Sequence, residues 1–206
     1  MPLIKRARPT AAAQPSVEST LATLLADLQN EAAAVRLGAA RQLGQYPEAA
    51  GALCTALAAA EQPERVREAI FTALIRIGTQ PAADGLVPLL ASEDTSLRNG
   101  AIEALKAMPQ TAASAIFASL KEGSRDVRIF AVGVLGALAH RDSPDLLIRV
   151  IEADPDVNVC AEAVEGLTEC GDEAAVAPLH RLLERFPNEP FLEFSVATAL
   201  ARIGAD

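Results

Sequence analysis

The chain contains no tryptophan and one tyrosine, and aromatic residues make up only 3% of its 206 residues. Proteins that bind single-stranded nucleic acids stack the bases on aromatic side chains along a positively charged groove. Positive charge is also scarce here, because the net charge is −9. Lys5, Arg6 and Arg8 precede the first acidic residue, Glu18, and the remaining chain carries 15 basic and 27 acidic residues. Such an acidic body repels phosphate backbones, so we predict no nucleic-acid partner.

Long apolar stretches are absent as well. No uninterrupted apolar run reaches the ~18 residues of a membrane-spanning helix, and no hydrophobic region follows the basic residues of the start, MPLIKRARPTAAAQPS. Cys54, Cys160 and Cys170 are spaced neither as a zinc site nor as a disulfide framework, so we interpret them as core-filling thiols in a reducing compartment. We therefore expect a cytoplasmic protein that does not contact a membrane.

Motifs for catalysis and cofactor binding are missing from the sequence. It contains no P-loop, no G-x-S-x-G and no H-E-x-x-H. We interpret His140 as a residue that caps a helix or faces solvent. Glu162, Glu165 and Glu169 are spaced three and four residues apart on one predicted helix, where like charges repel, so a solvated acidic surface is favoured over an acid pair. We predict no catalytic residue, no metal site and no cofactor.

What the sequence does contain is one helical segment that recurs six times. These segments begin at Val35, Val66, Leu97, Val127, Val159 and Leu192. Apolar residues stand at the start of each segment and again eight and eleven residues later, which is the spacing of one face of a helix. In five of the six segments a glycine or proline stands twelve residues after the start, where glycine caps a helix and proline stops it.

A further helical segment precedes each of these six, so each unit is predicted to be a helical hairpin. The joins carry the residues that open or break helices, namely Pro81, Asp94, Asp126, Pro144, Asp156 and Pro187. Neither helix of a hairpin can bury its apolar stripe alone, so the hairpins must stack. We expect an all-α, right-handed α-solenoid of about six hairpins, with residues 1–16 as a flexible basic tail. The expected units are 17–47, 48–79, 80–110, 111–140, 141–171 and 172–206.

The units resemble short HEAT repeats of about 30 residues, the kind also found in phycobilin lyase subunits. The resemblance rests on a VR…A…AL…IG frame, which is kept in Val66, Arg67, Ala73, Leu74 and Gly78. It extends over almost all of the chain after residue 16 and implies the solenoid fold without specifying one function. Deoxyhypusine hydroxylase, a HEAT-repeat iron enzyme, would require repeated His-Glu pairs, and this sequence has none.

An arginine follows the first residue in four successive segments. These arginines are Arg36, Arg67, Arg98 and Arg128. As a row they could bind an anionic ligand, but we favour a structural role in which each pairs with a carboxylate near an inter-helix turn. For Arg128 the expected partner is Asp126 or Asp156.

In solenoids of this kind the second helix of each hairpin lines the concave face. The residues two, six and nine positions after the start of each segment point away from the core, and this mixed polar and apolar stripe suits a peptide or a partner helix. The candidate partner-binding residues are Arg41, Thr72, Ile75, Asn99, Glu103, Lys106, Ile129, Gly133, Gly136, Glu165 and Phe194. We expect Gly133 and Gly136 to leave bare backbone beside Ile129 for the close approach of a partner.

Half of all the phenylalanines fall in the last unit, at Phe186, Phe191 and Phe194. The end of a solenoid must cover the edge of its core, so these rings either fill that edge or form an interface with a second chain or another partner.

Taken together, these features predict a non-enzymatic scaffold or regulatory adaptor in a bacterial cytoplasm that binds a partner protein or peptide through its concave face. The resemblance to lyase subunits leaves one alternative, a bilin lyase-like or related enzyme subunit that acts with a companion chain. A merely solvated concave face is the third interpretation.

Overall fold

The computed structural model describes residues 17–59, 62–121, 123–138 and 140–204, in which it contains twelve α-helices and no β-strand. The predicted basic tail, residues 1–16, lies outside the described residues. The helices are α1 (Val17–Asp27), α2 (Ala33–Leu43), α3 (Ala50–Ala58), α4 (Glu64–Ile77), α5 (Gln80–Leu86), α6 (Thr95–Lys106), α7 (Pro109–Ser119), α8 (Arg125–Ala137), α9 (Ser143–Ala153), α10 (Val157–Cys170), α11 (Val176–Arg185) and α12 (Pro190–Ile203). Short 3₁₀ turns at Pro47–Ala49 and Glu173–Ala175 lead into α3 and α11, and a third, Val87–Ala91, follows α5.

The helices form six hairpins that stack side by side. Each odd-numbered helix packs against the even-numbered helix that follows it, and the even-numbered helices contact one another in succession from α2 to α12. We call the exposed side of α2, α4, α6, α8, α10 and α12 the second-helix row. The predicted all-α solenoid is confirmed. Within the described ranges, no helix is both long enough and apolar enough to cross a membrane.

The core is built mainly from leucine, alanine and valine. Its largest fully buried side chains are Leu28, Leu43, Leu53, Ile70, Leu74, Leu86, Leu90, Leu105, Ile116, Leu135, Leu147 and Ile151. Each such side chain contributes about 1.5–3 kcal/mol relative to an exposed one. Buried alanines such as Ala40, Ala73, Ala104 and Ala131 lie between neighbouring helices and let their backbones approach closely.

Polar side chains fix the beginnings of three even-numbered helices, α6, α8 and α10. The Asp94 carboxylate accepts hydrogen bonds from backbone N–H groups of α6, and Asp156 does the same for α10. The backbone hydrogen bond from Leu97, together with one from the Arg67 side chain, lowers the pKa of the Asp94 carboxyl below its ordinary value. These two aspartates are the helix caps that the sequence predicted.

Asp126, the third aspartate that the sequence placed at a join between helices, has a different position. Asp126 lies in the first turn of α8, and the cap of that helix is Ser124, whose hydroxyl oxygen accepts a hydrogen bond from the Val127 N–H. A carboxylate in a first helical turn is favourable because the N-terminal end of a helix carries partial positive charge. Pro187 is likewise displaced from a helix start, since the proline that opens α12 is Pro190.

Two of the predicted glycine stops act through left-handed backbone. Gly78 has a φ of 59° and Gly204 a φ of 85°, which a residue with a Cβ adopts only with strain. Gly171 differs, because its φ of −70° is ordinary for any residue. Glycine is needed there for space, since a Cβ would lie 2.4 Å from the carbonyl oxygen of Leu167.

Candidate binding surface

The second-helix row exposes most of the predicted partner-binding residues. The exposed ones are Arg41, Thr72, Ile75, Asn99, Glu103, Lys106, Glu165 and Phe194. Ile129, Gly133 and Gly136 are only partly exposed, and Ile129 packs against the hydrophobic core. The exposed apolar residue at this point of the row is instead its neighbour Phe130, which is 37% exposed.

A groove of about 530 Å³ opens on this row between α2 and α4. We call it the arginine groove; its lining residues are Arg41, Arg65, Glu68, Ala69, Thr72, Ala73 and Arg76. Ala69 and Ala73 are buried and form its floor, whereas the other lining residues are exposed. The two helices approach closely at Gly44, where a Cβ would lie 3.1 Å from the Cα of Ala73.

The centre of the row is electrically neutral. Lys106 Nζ lies 3.2 Å from Glu103 Oε1, so these two exposed charges pair with each other. Beside them the guanidinium carbon of Arg98 lies 5.1 Å from the ring centre of Phe130, a cation–π contact that joins α6 to α8.

Gly136 and Gly166 face each other where α8 packs against α10. A Cβ on Gly136 would lie 2.8 Å from the Cα of Gly166, and a Cβ on Gly166 would lie 2.9 Å from the Cα of Gly136. The bare backbone at Gly136 is therefore covered by the neighbouring helix, and our expectation that it stays open for a partner is wrong. At Gly133 the space of a Cβ is occupied by the Glu162 side chain, whose Oε1 would lie 2.5 Å away.

A second, smaller groove of about 180 Å³ lies beside this glycine contact. We call it the acidic groove; its lining residues are Gly133, Gly136, Ala137, Glu162, Glu165, Gly166 and Glu169. Glu165 and Glu169 are exposed, as the sequence predicted, but Glu162 is partly buried. Burial raises the pKa of the Glu162 carboxyl, and the negative charge of Glu165 raises it further.

The four arginines that recur with the repeat point into turns and not toward a ligand. Arg67 Nη1 donates to Asp94 Oδ2 at 2.6 Å, in the turn before the next even-numbered helix. Arg36 Nε donates to Gln62 Oε1 at 3.0 Å, again in the turn before the next even-numbered helix. Arg98 makes the contact with α8 described above. These contacts support a structural role for the four arginines. Within the described residues, however, only Arg67 and Arg128 pair with a carboxylate as expected. Arg36 instead pairs with the Gln62 amide, and Arg98 donates to the carbonyl oxygen of Ser92.

Arg128 has a carboxylate partner, but it is Asp154 and not Asp126 or Asp156. Its Nε and Nη2 donate to the two oxygens of Asp154 at 2.8 and 3.1 Å, and only 16% of the Arg128 side chain and 8% of the Asp154 side chain are exposed. Asp154 also accepts from the Asp156 N–H and, at its carbonyl oxygen, from Arg185 Nη2. This aspartate therefore joins α8, α10 and α11.

The three phenylalanines of the last hairpin divide into two groups. Phe186 is partly buried against the core, and the guanidinium carbon of Arg185 lies 5.1 Å from its ring centre. Phe191 and Phe194 lie on α12 and are 64% and 72% exposed. The described structure thus leaves two aromatic rings uncovered on α12.

His140 contributes to the turn before α9. Its Nδ1 accepts a hydrogen bond from the Asp142 N–H at 3.2 Å, and its carbonyl oxygen accepts one from the Ser143 N–H at 3.1 Å. Both contacts lie in the turn before α9, whereas the capping interpretation concerned the end of the preceding helix, so that interpretation stays a prediction. Among the residues that the structure places, no group of three or more His, Cys, Asp or Glu side chains could hold a metal ion.

The cysteines are placed as core-filling thiols. Cys160 is buried, Cys54 and Cys170 are partly buried, and all three are free. Burial raises the pKa of Cys54 and that of Cys160 to about 11, so both are protonated at neutral pH.

A groove that sequence reasoning did not single out lies on the opposite side, between α7 and α9. It has a volume of about 440 Å³, and Phe117 and Arg149 contribute to its lining, with the guanidinium carbon 4.2 Å from the ring centre. The two residues come from different hairpins, and both stand ten residues before the start of the next repeated segment. The periodicity does not show that a ring and a guanidinium at this position touch.

A solenoid of stacked helical hairpins with an exposed, variable row of side chains defines a repeat scaffold. The sequence profile of HEAT repeats matches residues 21–106, 113–185 and 144–206. The chain therefore belongs to the HEAT-repeat family. No curated protein matches it.

Solved structures with similar folds have low sequence identity to this chain. The TOG3 domain of Drosophila melanogaster Mini spindles is 14% identical with a TM-score of 0.58, and the match covers 89% of this chain and 94% of that one. Human deoxyhypusine hydroxylase is 19% identical with a TM-score of 0.47, covering 91% and 85%. The CpcE and CpcF complex of phycocyanin lyase from Nostoc sp. PCC7120 is 20% identical with a TM-score of 0.38, covering 98% and 100%. At 14% identity the likeness to the TOG3 domain concerns the fold alone.

Proposed function

We propose that the chain is a non-enzymatic scaffold or adaptor that binds a partner protein or peptide through its second-helix row. The observation that carries the proposal is that two sets of side chains have different roles. The arginines that recur with the repeat are used between hairpins, whereas the candidate side chains on the row differ from one repeat to the next and most of them are exposed. Binding surfaces of solenoids have this property, because each repeat can present a different side chain on the same framework.

Three finer features belong to the same proposal. We propose that the chain acts in a bacterial cytoplasm, that nucleic acid is not its partner, and that Phe191 and Phe194 form an end interface with a second copy or another protein. Two large exposed rings on one helix are typical of contact surfaces.

Site-specific photo-crosslinking in cells tests the proposed surface. A photoreactive side chain is placed at Thr72 or Glu103 on the second-helix row, or at the exposed control positions Ala118 and Asp145 on α7 and α9. We expect the row positions to crosslink to the same partner, identified by mass spectrometry, and the control positions to give no such product. Equal crosslinking from both sides, or none from the row, would count against the surface.

The bilin lyase-like alternative has a separate test. Mixing the chain with a free bilin should leave the visible absorbance spectrum of the chromophore unchanged if the chain is a scaffold. A shifted spectrum that depends on the chain would overturn the non-enzymatic assignment.

A further inference from the structure

The arginine groove is unusual for a chain whose body is acidic. Thirteen arginines follow residue 16. Nine of them make a hydrogen bond, an ion pair or a ring contact within the described residues. The four that make none there are Arg41, Arg65, Arg76 and Arg202, and the first three line a single groove. Among the described residues, guanidinium groups without a partner are thus concentrated at one place.

The groove has the form of a site for an extended chain. Arg65 and Arg76 are eleven residues apart on α4, which corresponds to about 16 Å along the helix axis. An extended segment of about five residues has this length, and its alternate side chains point to the same side. Arg41 lies across the groove on α2, so guanidinium groups border the groove on both helices.

The charge of the groove selects its ligand. Three arginines face one carboxylate, Glu68, so the groove is positive although the chain as a whole is negative. A guanidinium presents a planar fork of N–H donors that matches a carboxylate. The exposed Thr72 and the buried Ala69 and Ala73 between the arginines supply no competing charge along the groove.

The acidic groove on the same row carries the opposite charge to the arginine groove. Its three glutamates repel the acidic segment that the arginines attract. The row is therefore polarised, positive between α2 and α4, neutral at the Glu103 and Lys106 pair, and negative between α8 and α10.

We infer that the partner of the second-helix row is an acidic peptide segment, and that it binds in extended form with its carboxylates on Arg41, Arg65 and Arg76. This inference rests on the proposed function and adds the chemistry of the partner and the part of the row that it contacts.

Fluorescence anisotropy with short labelled peptides tests the inference. The probe is Gly-Glu-Ser-Glu-Ser-Glu-Gly, and the comparison peptides carry glutamine or lysine in place of glutamate. We expect binding of the glutamate peptide that weakens as salt is added, because exposed charges are screened over about 8 Å at physiological ionic strength. The glutamine and lysine peptides should bind at least tenfold more weakly.

The variants locate the site. In Arg41→Gln/Arg65→Gln/Arg76→Gln the affinity for the glutamate peptide should fall at least tenfold, which corresponds to about 1.4 kcal/mol. The matched control is Arg202→Gln, which removes an exposed arginine at the end of α12 and should leave the affinity unchanged. Replacement of the three groove arginines by lysine should retain part of the affinity, and far-UV circular dichroism verifies the fold of each variant.

Several results would overturn the inference. They are equal binding of the glutamine peptide, an affinity that the triple variant leaves unchanged, and binding of a short DNA strand at the same groove as tightly as the glutamate peptide. If crosslinking from Thr72 or Glu103 captures a partner whose binding the triple glutamine variant does not weaken, the inference fails while the proposed surface stands. Absence of any partner on the row would instead refute the proposed function.

Discussion

The contact between Gly136 and Gly166 leads to a prediction that opposes the usual effect of glycine in a helix. Alanine normally stabilises a helix interior by about 1 kcal/mol relative to glycine. At Gly136, however, the added Cβ would lie 2.8 Å from a backbone atom of α10, the Cα of Gly166, and 3.6 Å from its nitrogen. A backbone atom cannot rotate away as a side chain can.

The magnitude follows from the distance. Carbon atoms in favourable contact are about 3.5–4.0 Å apart, so α8 and α10 would have to separate by roughly 0.7 Å or more. Overpacking of this kind costs about 1–3 kcal/mol, which exceeds or cancels the gain in helix propensity. We expect Gly136→Ala to lower the free energy of unfolding by about 0–2 kcal/mol. Gly166→Ala should lower it at least as much, because its Cβ would also lie 2.9 Å from Leu147 Cδ1.

Urea-induced unfolding, followed by far-UV circular dichroism, measures the effect. The matched control is Gly38→Ala in α2, where a Cβ would meet nothing within 4 Å and the substitution should stabilise by about 1 kcal/mol. In the double variant Gly136→Ala/Gly166→Ala the free energy of unfolding should fall by less than the sum of the two single losses, because the first substitution already separates the helices. Equal stabilisation by Gly136→Ala and Gly38→Ala would refute the reasoning.

Three further predictions concern buried or partly buried groups. Asp154→Ala leaves the mostly buried Arg128 without its partner, so urea unfolding should show a loss of about 3–5 kcal/mol, and adding Arg128→Ala should cost little more. Burial raises the pKa of the Glu162 carboxyl in the folded chain, so the charge of this carboxylate destabilises the fold at neutral pH. At neutral pH, Glu162→Gln should therefore stabilise the chain by a few tenths of a kcal/mol. The stability difference between the two chains should vanish below the ordinary glutamate pKa of about 4.3, where Glu162 is protonated in both the folded and the unfolded state. A stability difference independent of pH would contradict this. With pKa values of about 11, Cys54 and Cys160 should react with a thiol reagent far more slowly in the native chain than in urea, and equal rates would show that they are not buried.

The periodicity of the sequence was sufficient to predict the fold. All six even-numbered helices begin two residues before the segment starts inferred from the repeat, as α4 does at Glu64 before Val66. This accuracy has a physical source, since the apolar spacing of a helical face recurs in every unit and the caps lie at the same phase. The residues that end the repeated segments were less uniform than the starts, because glycine is needed at Gly171 for space and not for a left-handed backbone.

Contacts between hairpins could not be predicted in the same way. Arg128 and Asp154 are 26 residues apart, and nothing in the periodic pattern favours Asp154 over the expected partners Asp126 and Asp156. The same applies to Gly136 and Gly166, because the sequence shows that each lies within a helix but not which helix covers it. Predicting exposure from repeat position succeeded for Thr72 but failed for Ile129, where packing against the core decided the outcome.

The polarity of the second-helix row depends on repeat positions that carry opposite charges. Arg76 and Glu169 both stand ten residues after the start of their segments, and both are exposed. Exposed charges of this kind contribute at most about 1 kcal/mol to stability, so the framework tolerates either sign at this position. Folding therefore does not require arginine in one repeat and glutamate three repeats later. The recurring arginines hold successive hairpins together, so the other charges on the row are free to match a partner. These charges are separated into a positive and a negative groove, and recognition of an acidic segment would explain that separation.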